Sequence, residues 1–83
     1  MLLTLDQMKI GETGLIKKVN GEGKLRRRLF DMGVTQGTNI TIRKYAPLGD
    51  PIEITIRNYE LTLRKTEAAL VEVEVERVEE ETK

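Results

Sequence analysis

Six basic side chains lie within 12 residues in the first half of the sequence, and Glu22 alone opposes them. They are Lys17, Lys18, Lys24, Arg26, Arg27 and Arg28. Such side chains bind anions, and a guanidinium holds a carboxylate through two parallel hydrogen bonds. The run therefore indicates an arginine that binds an acidic partner, a basic surface that binds nucleic acid, or a charged face that keeps a small domain soluble.

Acidic side chains dominate the other end of the chain. They are Glu72, Glu74, Glu76, Glu79, Glu80 and Glu81, and only Arg77 and Lys83 oppose them. Carboxylates are ligands of hard cations, so a metal-binding domain that uses residues such as Glu67, Glu72 and Glu74 is one alternative. No Asp-rich loop with EF-hand spacing is present. We favour the simpler interpretation, in which these acids form the solvated side of a strand.

The residues that most enzymes use are missing. The chain has no histidine, no cysteine and no serine, so it lacks the usual zinc ligands, the commonest general base and a serine nucleophile. It also lacks the glycine-rich phosphate loops. We predict no catalytic residue, no metal ligand and no cofactor, and therefore a protein that is not an enzyme.

Length sets the domain organisation. Eighty-three residues provide one thin core. We expect residues 1–78 to form a single domain and residues 79–83 a charged, frayed tail. No apolar run approaches the ~20 residues of a membrane span, and the start of the chain lacks the basic region of a signal peptide. These features predict a cytoplasmic protein.

Alternating apolar and polar residues predict five short strands. The strands cover residues 14–19, 40–43, 52–57, 61–64 and 71–76. Their inward-facing candidates are Ile16, Ile40, Ile42, Ile52, Ile54, Ile56, Leu61, Leu63, Val71, Val73 and Val75. We predict a mostly β fold, a partly open barrel of about five strands with one short helix after the first strand.

A change of period marks that helix, near residues 23–32. Leu25, Leu29 and Met32 are spaced as one stripe of a helix, and Gly33 follows where a left-handed C-cap belongs. We expect Leu25 and Leu29 to cover one end of the barrel and Phe30 to pack beside them.

Turn signals separate the remaining strands. Gly37 precedes the second strand, and the segment Pro47–Pro51 forms a loop after it. Asn58-Tyr59 predicts a tight hairpin because asparagine tolerates positive φ. Residues 66–69 predict a short helical turn before the last strand.

Three segments resemble one protein family. Residues 25–37, LRRRLFDMGVTQG, resemble the LRxRLxDMGhxxG signature of the FeoA family, ferrous iron transport protein A. Residues 47–52, PLGDPI, resemble its PxGDPI segment, and residues 61–68, LTLRKTEA, its LALRxxEA segment. The opening, from Leu5 to Gly14, is similar to the family's start. The segments come in the family's order and spacing and cover nearly the whole chain.

The resemblance implies an SH3-like barrel and a cytoplasmic accessory that docks on the FeoB-type Fe²⁺ permease and reaches the membrane only through it. The barrel also resembles the C-terminal domain of DtxR-type repressors, which keeps an iron-responsive, metal-binding regulator as an alternative. Zero net charge, a pI near 6.3 and few aromatic residues argue against nucleic acid as partner.

The sequence provides two sets of candidate residues. The candidate partner-binding residues are Arg26, Arg27, Arg28, Asp31, Leu48 and Asp50. The residues expected to maintain the motifs structurally are Leu25, Leu29, Met32, Gly33, Gly37, Pro51, Leu63 and Arg64.

The three consecutive arginines are expected to point in different directions, because successive helical residues lie about 100° apart. Asp31 falls at a helix C-terminus, which disfavours an acid, so we expect Arg28 to compensate it. Leu48 is either an exposed apolar contact or part of a turn held by prolines. Three docking surfaces stay open: the helix, the Pro47–Pro51 loop, or a strand edge, which would also permit a weak homodimer.

Overall fold

A single antiparallel sheet organises residues 1–76, which are the residues that this computed structural model describes. Its six strands are β1 (Leu2–Thr4), β2 (Thr13–Val19), β3 (Asn39–Tyr45), β4 (Ile52–Ile56), β5 (Tyr59–Leu63) and β6 (Val71–Val75). They are arranged in the order β1-β6-β2-β3-β4-β5. The helices α1 (Gly23–Asp31) and α2 (Lys65–Ala68) and a 3-10 turn (Leu5–Gln7) complete the fold. The expected tail at 79–83 lies outside the described residues.

The alternating residues build the core as predicted. Ile40 and Ile42 of β3 lie opposite Ile56 and Ile54 of β4, and all four are buried. Burial of such side chains is the main force that stabilises a sheet with one wet face. Leu61 is partly buried, and the other predicted inward-facing residues are buried. Leu5, Met8, Val19, Val34 and Ala68 complete the core, and the strand pattern did not identify them.

The strand count was predicted one too low. β1 was missed because three residues, Leu2–Thr4, are too few to show a period of two. It pairs with β6, with Leu3 opposite Val73. The helix α1 consequently follows the second strand, and not the first.

A β-bulge accounts for the irregular pattern of β2. The register against β6 shifts between Ile16 and Lys18, so Ile16 and Val19 are both buried although three positions separate them. Lys17 and Lys18 are both exposed as a result. Bulges add one residue to a strand and redirect the side chains there.

The hairpin between β4 and β5 is confirmed, but its turn lies one residue earlier than the predicted Asn58-Tyr59. Ile56 lies opposite Tyr59, so Arg57 and Asn58 are the two central residues, with φ of 49° and 72°. Two positive φ values are the mark of a type I′ turn, which matches the twist of the flanking strands. The predicted turn at residues 66–69 is also confirmed, as α2.

The helix α1 is confirmed, and its end follows the expected geometry. Gly33 has φ of 93°, its N–H bonds the carbonyl of Phe30, and the N–H of Val34 bonds that of Leu29 at 2.9 Å. These two bonds define a Schellman motif. Leu29 and Val34 are buried beneath it.

The packing of Leu25 and Phe30 in α1 was predicted wrongly. Leu25 is 37% exposed and Phe30 is 36% exposed, so neither covers the barrel end. The buried contacts of the helix come from Leu29 and the chain that follows it, and Leu25 lies one turn too early to share them. Neither helix of residues 1–76 is long and apolar enough to cross a membrane.

Candidate docking surface

An ion pair joins the two helices. The Nη1 atom of Arg28 in α1 donates to Oε2 of Glu67 in α2 at 2.6 Å. The Glu67 side chain is 4% exposed, whereas that of Arg28 is 56% exposed. The expectation that Arg28 compensates Asp31 is wrong, because within residues 1–76 Arg28 pairs with Glu67 and Asp31 forms no ion pair. A buried carboxylate needs a cation more than an exposed one does.

Glu67 also fixes the start of α2. Its Oε1 atom accepts the N–H of Arg64 at 2.8 Å, and Arg64 is the N-cap of the helix. A Glu three positions after the N-cap is one half of a capping box, so the spacing in the sequence carried this signal. Sequence reasoning named Glu67 only as a metal-ligand alternative and missed this role.

Asp50 attaches the loop between β3 and β4 to the same helix. Its Oδ1 atom accepts the N–H of Lys65 at 2.8 Å. Within the loop, the N–H of Ala46 bonds the Pro51 carbonyl at 3.0 Å and the N–H of Gly49 bonds the Ala46 carbonyl at 2.7 Å. These bonds hold the loop in place while Leu48, at its tip, is 95% exposed.

An open groove, here called the Arg28 groove, lies between these elements and has a volume of about 380 Å³. It is lined by Arg28, Asp50, Pro51, Thr62, Leu63, Arg64 and Glu67. Five residues of the two candidate sets therefore meet in one place, namely Arg28, Asp50, Pro51, Leu63 and Arg64. Both acids of the groove accept hydrogen bonds from the protein, whereas the guanidinium of Arg64 forms no ion pair within residues 1–76.

The other candidate residues of α1 lie on a different side of the helix. Arg26 donates from Nε to the carbonyl of Val19 at 3.0 Å, and its guanidinium lies 4.5 Å from the centre of the Phe30 ring. Arg27 and Asp31 line a separate open depression with Arg26, Phe30 and Gly23. Arg28 therefore faces a different surface from Arg26 and Arg27, which line one depression together, so the expectation that all three arginines point in different directions holds only for Arg28.

Most of the motif residues support the fold around the Arg28 groove. Leu29 and Leu63 are buried, and Met32 is partly buried with its carbonyl accepting the hydroxyl of Tyr59. Gly37 has φ of 86°, and its N–H bonds the carbonyl of Ile16 at 2.8 Å. Leu25 is exposed and does not contribute. The contribution of Tyr59 was missed, since no local pattern links it to Met32.

The acids considered as metal ligands are engaged elsewhere. Asn20 donates to Glu72 at 2.8 Å, and the terminal ammonium of Met1 donates to Glu74 at 2.7 Å. That hydrogen bond and the ammonium charge lower the pKa of Glu74. Within residues 1–76 no three acidic side chains are grouped closely enough to hold a metal ion.

Comparison with known proteins identifies relatives along the whole described fold. The family model described as the FeoA domain matches residues 3–75. A Porphyromonas gingivalis protein described as an Fe(2+) transport protein A/Fe(2+) transporter FeoB fusion is 37% identical over 73 residues. The match covers 88% of this chain and 9% of that protein, so the chain spans about a tenth of the length of this curated relative.

Two solved structures extend the comparison. A FeoA-like protein from Clostridium acetobutylicum has a TM-score of 0.85 and 37% identity, covering 98% of this chain and 94% of that one. FeoA from Stenotrophomonas maltophilia, described as a procaryotic SH3 domain protein in complex with zinc, has a TM-score of 0.76 and 22% identity over 87% of this chain and 89% of that one. The SH3-like fold expected from the sequence is therefore confirmed.

Proposed function

The chain belongs to the FeoA family, which is associated with ferrous iron transport, and we propose that it is a non-catalytic module. This module docks on the cytoplasmic part of a FeoB-type permease and regulates its transport. The observation that carries the proposal is the Porphyromonas gingivalis relative, in which the two proteins form one chain. Fusion raises the effective concentration of one module near the other to the millimolar range, which suits two proteins that act in contact.

The Arg28 groove and the adjacent Leu48 are the proposed contact surface. Binding energy at stable interfaces is concentrated in a few side chains, among which arginine is enriched, and an aliphatic side chain can be the anchor that enters a pocket. Leu48 is fully presented at a loop that Asp50 fixes to α2. Arg28 is held by Glu67, so its remaining N–H donors are oriented before a partner arrives.

We further propose that the docking domain comprises residues 1–78 and works in the cytoplasm. The outermost strands of the sheet are β1 and β5. The proposed contact surface excludes β1 and includes only Thr62 and Leu63 of β5, which line the groove.

The experiment is a pull-down of the tagged protein from detergent-solubilised native membranes, followed by mass spectrometry. We expect recovery of a FeoB-type permease with the wild-type chain and loss of recovery with Leu48→Asp. The matched control is Leu2→Asp, which places the same charge at an exposed leucine of β1. Absence of the permease from the wild-type sample, with unchanged Fe²⁺ uptake in a deletion strain, would contradict the proposal.

A further inference from the structure

The outer edge of β5 carries unpaired backbone groups. β5 is the last strand in the order of the sheet, and β4 is its strand neighbour. The two-residue turn makes Ile56 and Tyr59 a hydrogen-bonded pair, and such pairs alternate along an antiparallel ladder. The odd-numbered residues of β5 therefore bond β4, whereas the N–H and C=O groups of Glu60 and Thr62 point away from the sheet.

β5 has none of the usual features that keep an edge strand from pairing with another chain. Such features are a proline, a lysine, a bulge or a covering segment. β5, with the sequence YELTL, contains neither proline nor lysine, and its register with β4 has no shift. Glu60 and Thr62 are exposed, and no turn, loop or cap within residues 1–76 bonds their backbone groups.

The opposite edge of the sheet is less open. β1 has three residues, and the side chain of Gln7 accepts the N–H of Thr4 at 3.3 Å. Leu2 is consequently the one residue of β1 that offers both backbone groups to a further strand. β5 is therefore the edge that can accept a longer ladder.

A second copy of the chain fits the β5 edge in one antiparallel register. With Leu61 opposite Leu61 of the second copy, Glu60 lies opposite Thr62 and the two residues exchange both backbone hydrogen bonds, a pairing that the two-fold axis repeats. A shift in one direction would place Glu60 opposite Glu60, and like charges directly opposite are destabilising. A shift in the other direction would need the N–H of Arg64, which Glu67 already accepts at 2.8 Å.

The side chains are complementary in this register. The two Leu61 side chains, each partly buried in its own domain, meet at a non-hydrogen-bonded pair, where cross-strand side chains are closest. On the other face, Arg64 is in extended conformation and lies diagonally from Glu60 of the second copy, within reach of long side chains. Glu60 pairs with Arg43 of its own copy at 3.4 Å, whereas Arg64 forms no ion pair within residues 1–76. The second copy thus supplies the carboxylate that Arg64 lacks.

We propose that a second copy of this chain pairs with the β5 edge in the Leu61-centred register, so that two six-stranded sheets become one continuous sheet. The contact is small, which predicts a transient dimer with a Kd on the order of 100 µM. The inference goes beyond permease docking and does not depend on it, because both partners are copies of this chain.

The first test is hydrogen exchange by NMR on the ¹⁵N-labelled full chain, at about one fifth of the expected Kd and at about ten times that value. We expect the amides of Glu60 and Thr62 to exchange roughly fourfold more slowly at the higher concentration, because the monomer fraction falls by that factor. The amide of Leu2, on the other edge, should show no dependence on concentration.

The second test is sedimentation equilibrium of two matched proline variants. Thr62→Pro removes an outward N–H that has no partner in the monomer, a position at which an edge strand accepts proline. Leu2→Pro makes the same change at the outward position of β1. We expect the Kd to rise about tenfold or more for Thr62→Pro and to stay unchanged for Leu2→Pro. Circular dichroism checks that both variants fold.

Three results would overturn the inference. They are exchange at Glu60 and Thr62 that is independent of concentration, protection that develops at Leu2 instead, or equal weakening by the two proline variants. If Thr62→Pro does not fold, the exchange of the wild-type chain decides the question. Because the samples contain no permease, failure of the docking proposal would not change these results.

Discussion

The guanidinium of Arg28 lies 2.6 Å from the buried carboxylate of Glu67, and the pair links α1 to α2 across 39 positions of the chain. Glu67→Ala should lower the free energy of unfolding by about 2 kcal/mol, because Arg28 and the N–H of Arg64 both lose their acceptor. Chemical denaturation measures the loss. The control Glu60→Ala breaks the exposed pair with Arg43 and should cost below about 0.5 kcal/mol. Equal effects would show that burial of Glu67 does not matter.

The bond from Lys65 to Asp50 should control the position of the Leu48 loop. Asp50→Ala is expected to cost about 1 kcal/mol and to speed hydrogen exchange at the Lys65 amide, because that N–H loses its acceptor. Asp50→Asn retains an acceptor oxygen and should preserve most of the protection. Unchanged exchange in the alanine variant would contradict the role assigned to this bond.

Gly33 is expected to tolerate substitution less well than Gly37. Both have positive φ, which costs an alanine about 1–2 kcal/mol. A Cβ at Gly33 would lie 2.6 Å from the Tyr59 hydroxyl, whereas nothing lies within 4 Å of one at Gly37. Displacing Tyr59 from the Met32 carbonyl should cost about 1 kcal/mol more. The difference between the two alanine variants, measured by thermal unfolding, should shrink in a Tyr59→Phe background.

Tyr45 should ionise above its ordinary range. Burial of its hydroxyl, with the carboxylates of Asp6 and Glu12 nearby, raises its pKa above the usual value of about 10. A raised folded-state pKa means that the related stability is present below the unfolded-state pKa and is lost as the pH rises through the folded-state pKa. Absorbance titration of Tyr59→Phe isolates Tyr45, since the chain has two tyrosines. Titration at or below the ordinary value would contradict this account.

The sheet could be predicted from the sequence because its strands have one wet face. The alternation of Val71, Val73 and Val75 with glutamates makes that face visible residue by residue. β1 shows no such alternation in its sequence. It is a strand because it pairs with β6. Leu25 was predicted to be buried for a related reason. Helical spacing shows which residues share one side of a helix, but not how many of them contact the core.

The candidate surface was only partly visible in the sequence. Arg28, Asp50 and Leu48 were singled out from motifs, yet what joins Arg28 to α2 is Glu67, which looks like one more charged residue among exposed neighbours. Its burial depends on a partner far away in the chain. Helical geometry predicts that Arg26 and Arg28 face two different surfaces. It does not predict which surface each one faces, because that depends on the positions of their partners Val19 and Glu67.

Substitution of Leu48 should weaken docking without changing the stability of the fold. Its side chain is 95% exposed, so Leu48→Ser should change stability by less than about 0.5 kcal/mol. Loss of an apolar anchor from an interface typically weakens binding by about 1–2 kcal/mol, which is a five- to thirtyfold rise in Kd.

The decisive measurement is the Kd of the purified chain for its full-length FeoB-type permease in nanodiscs of phosphatidylcholine alone, which removes any contribution of anionic lipid. We predict saturable binding by the wild-type chain, binding at least fivefold weaker for Leu48→Ser, and unchanged binding for the control Leu2→Ser on β1. No saturable binding, or equal weakening by the two serine variants, would contradict docking through the Leu48 loop and the Arg28 groove.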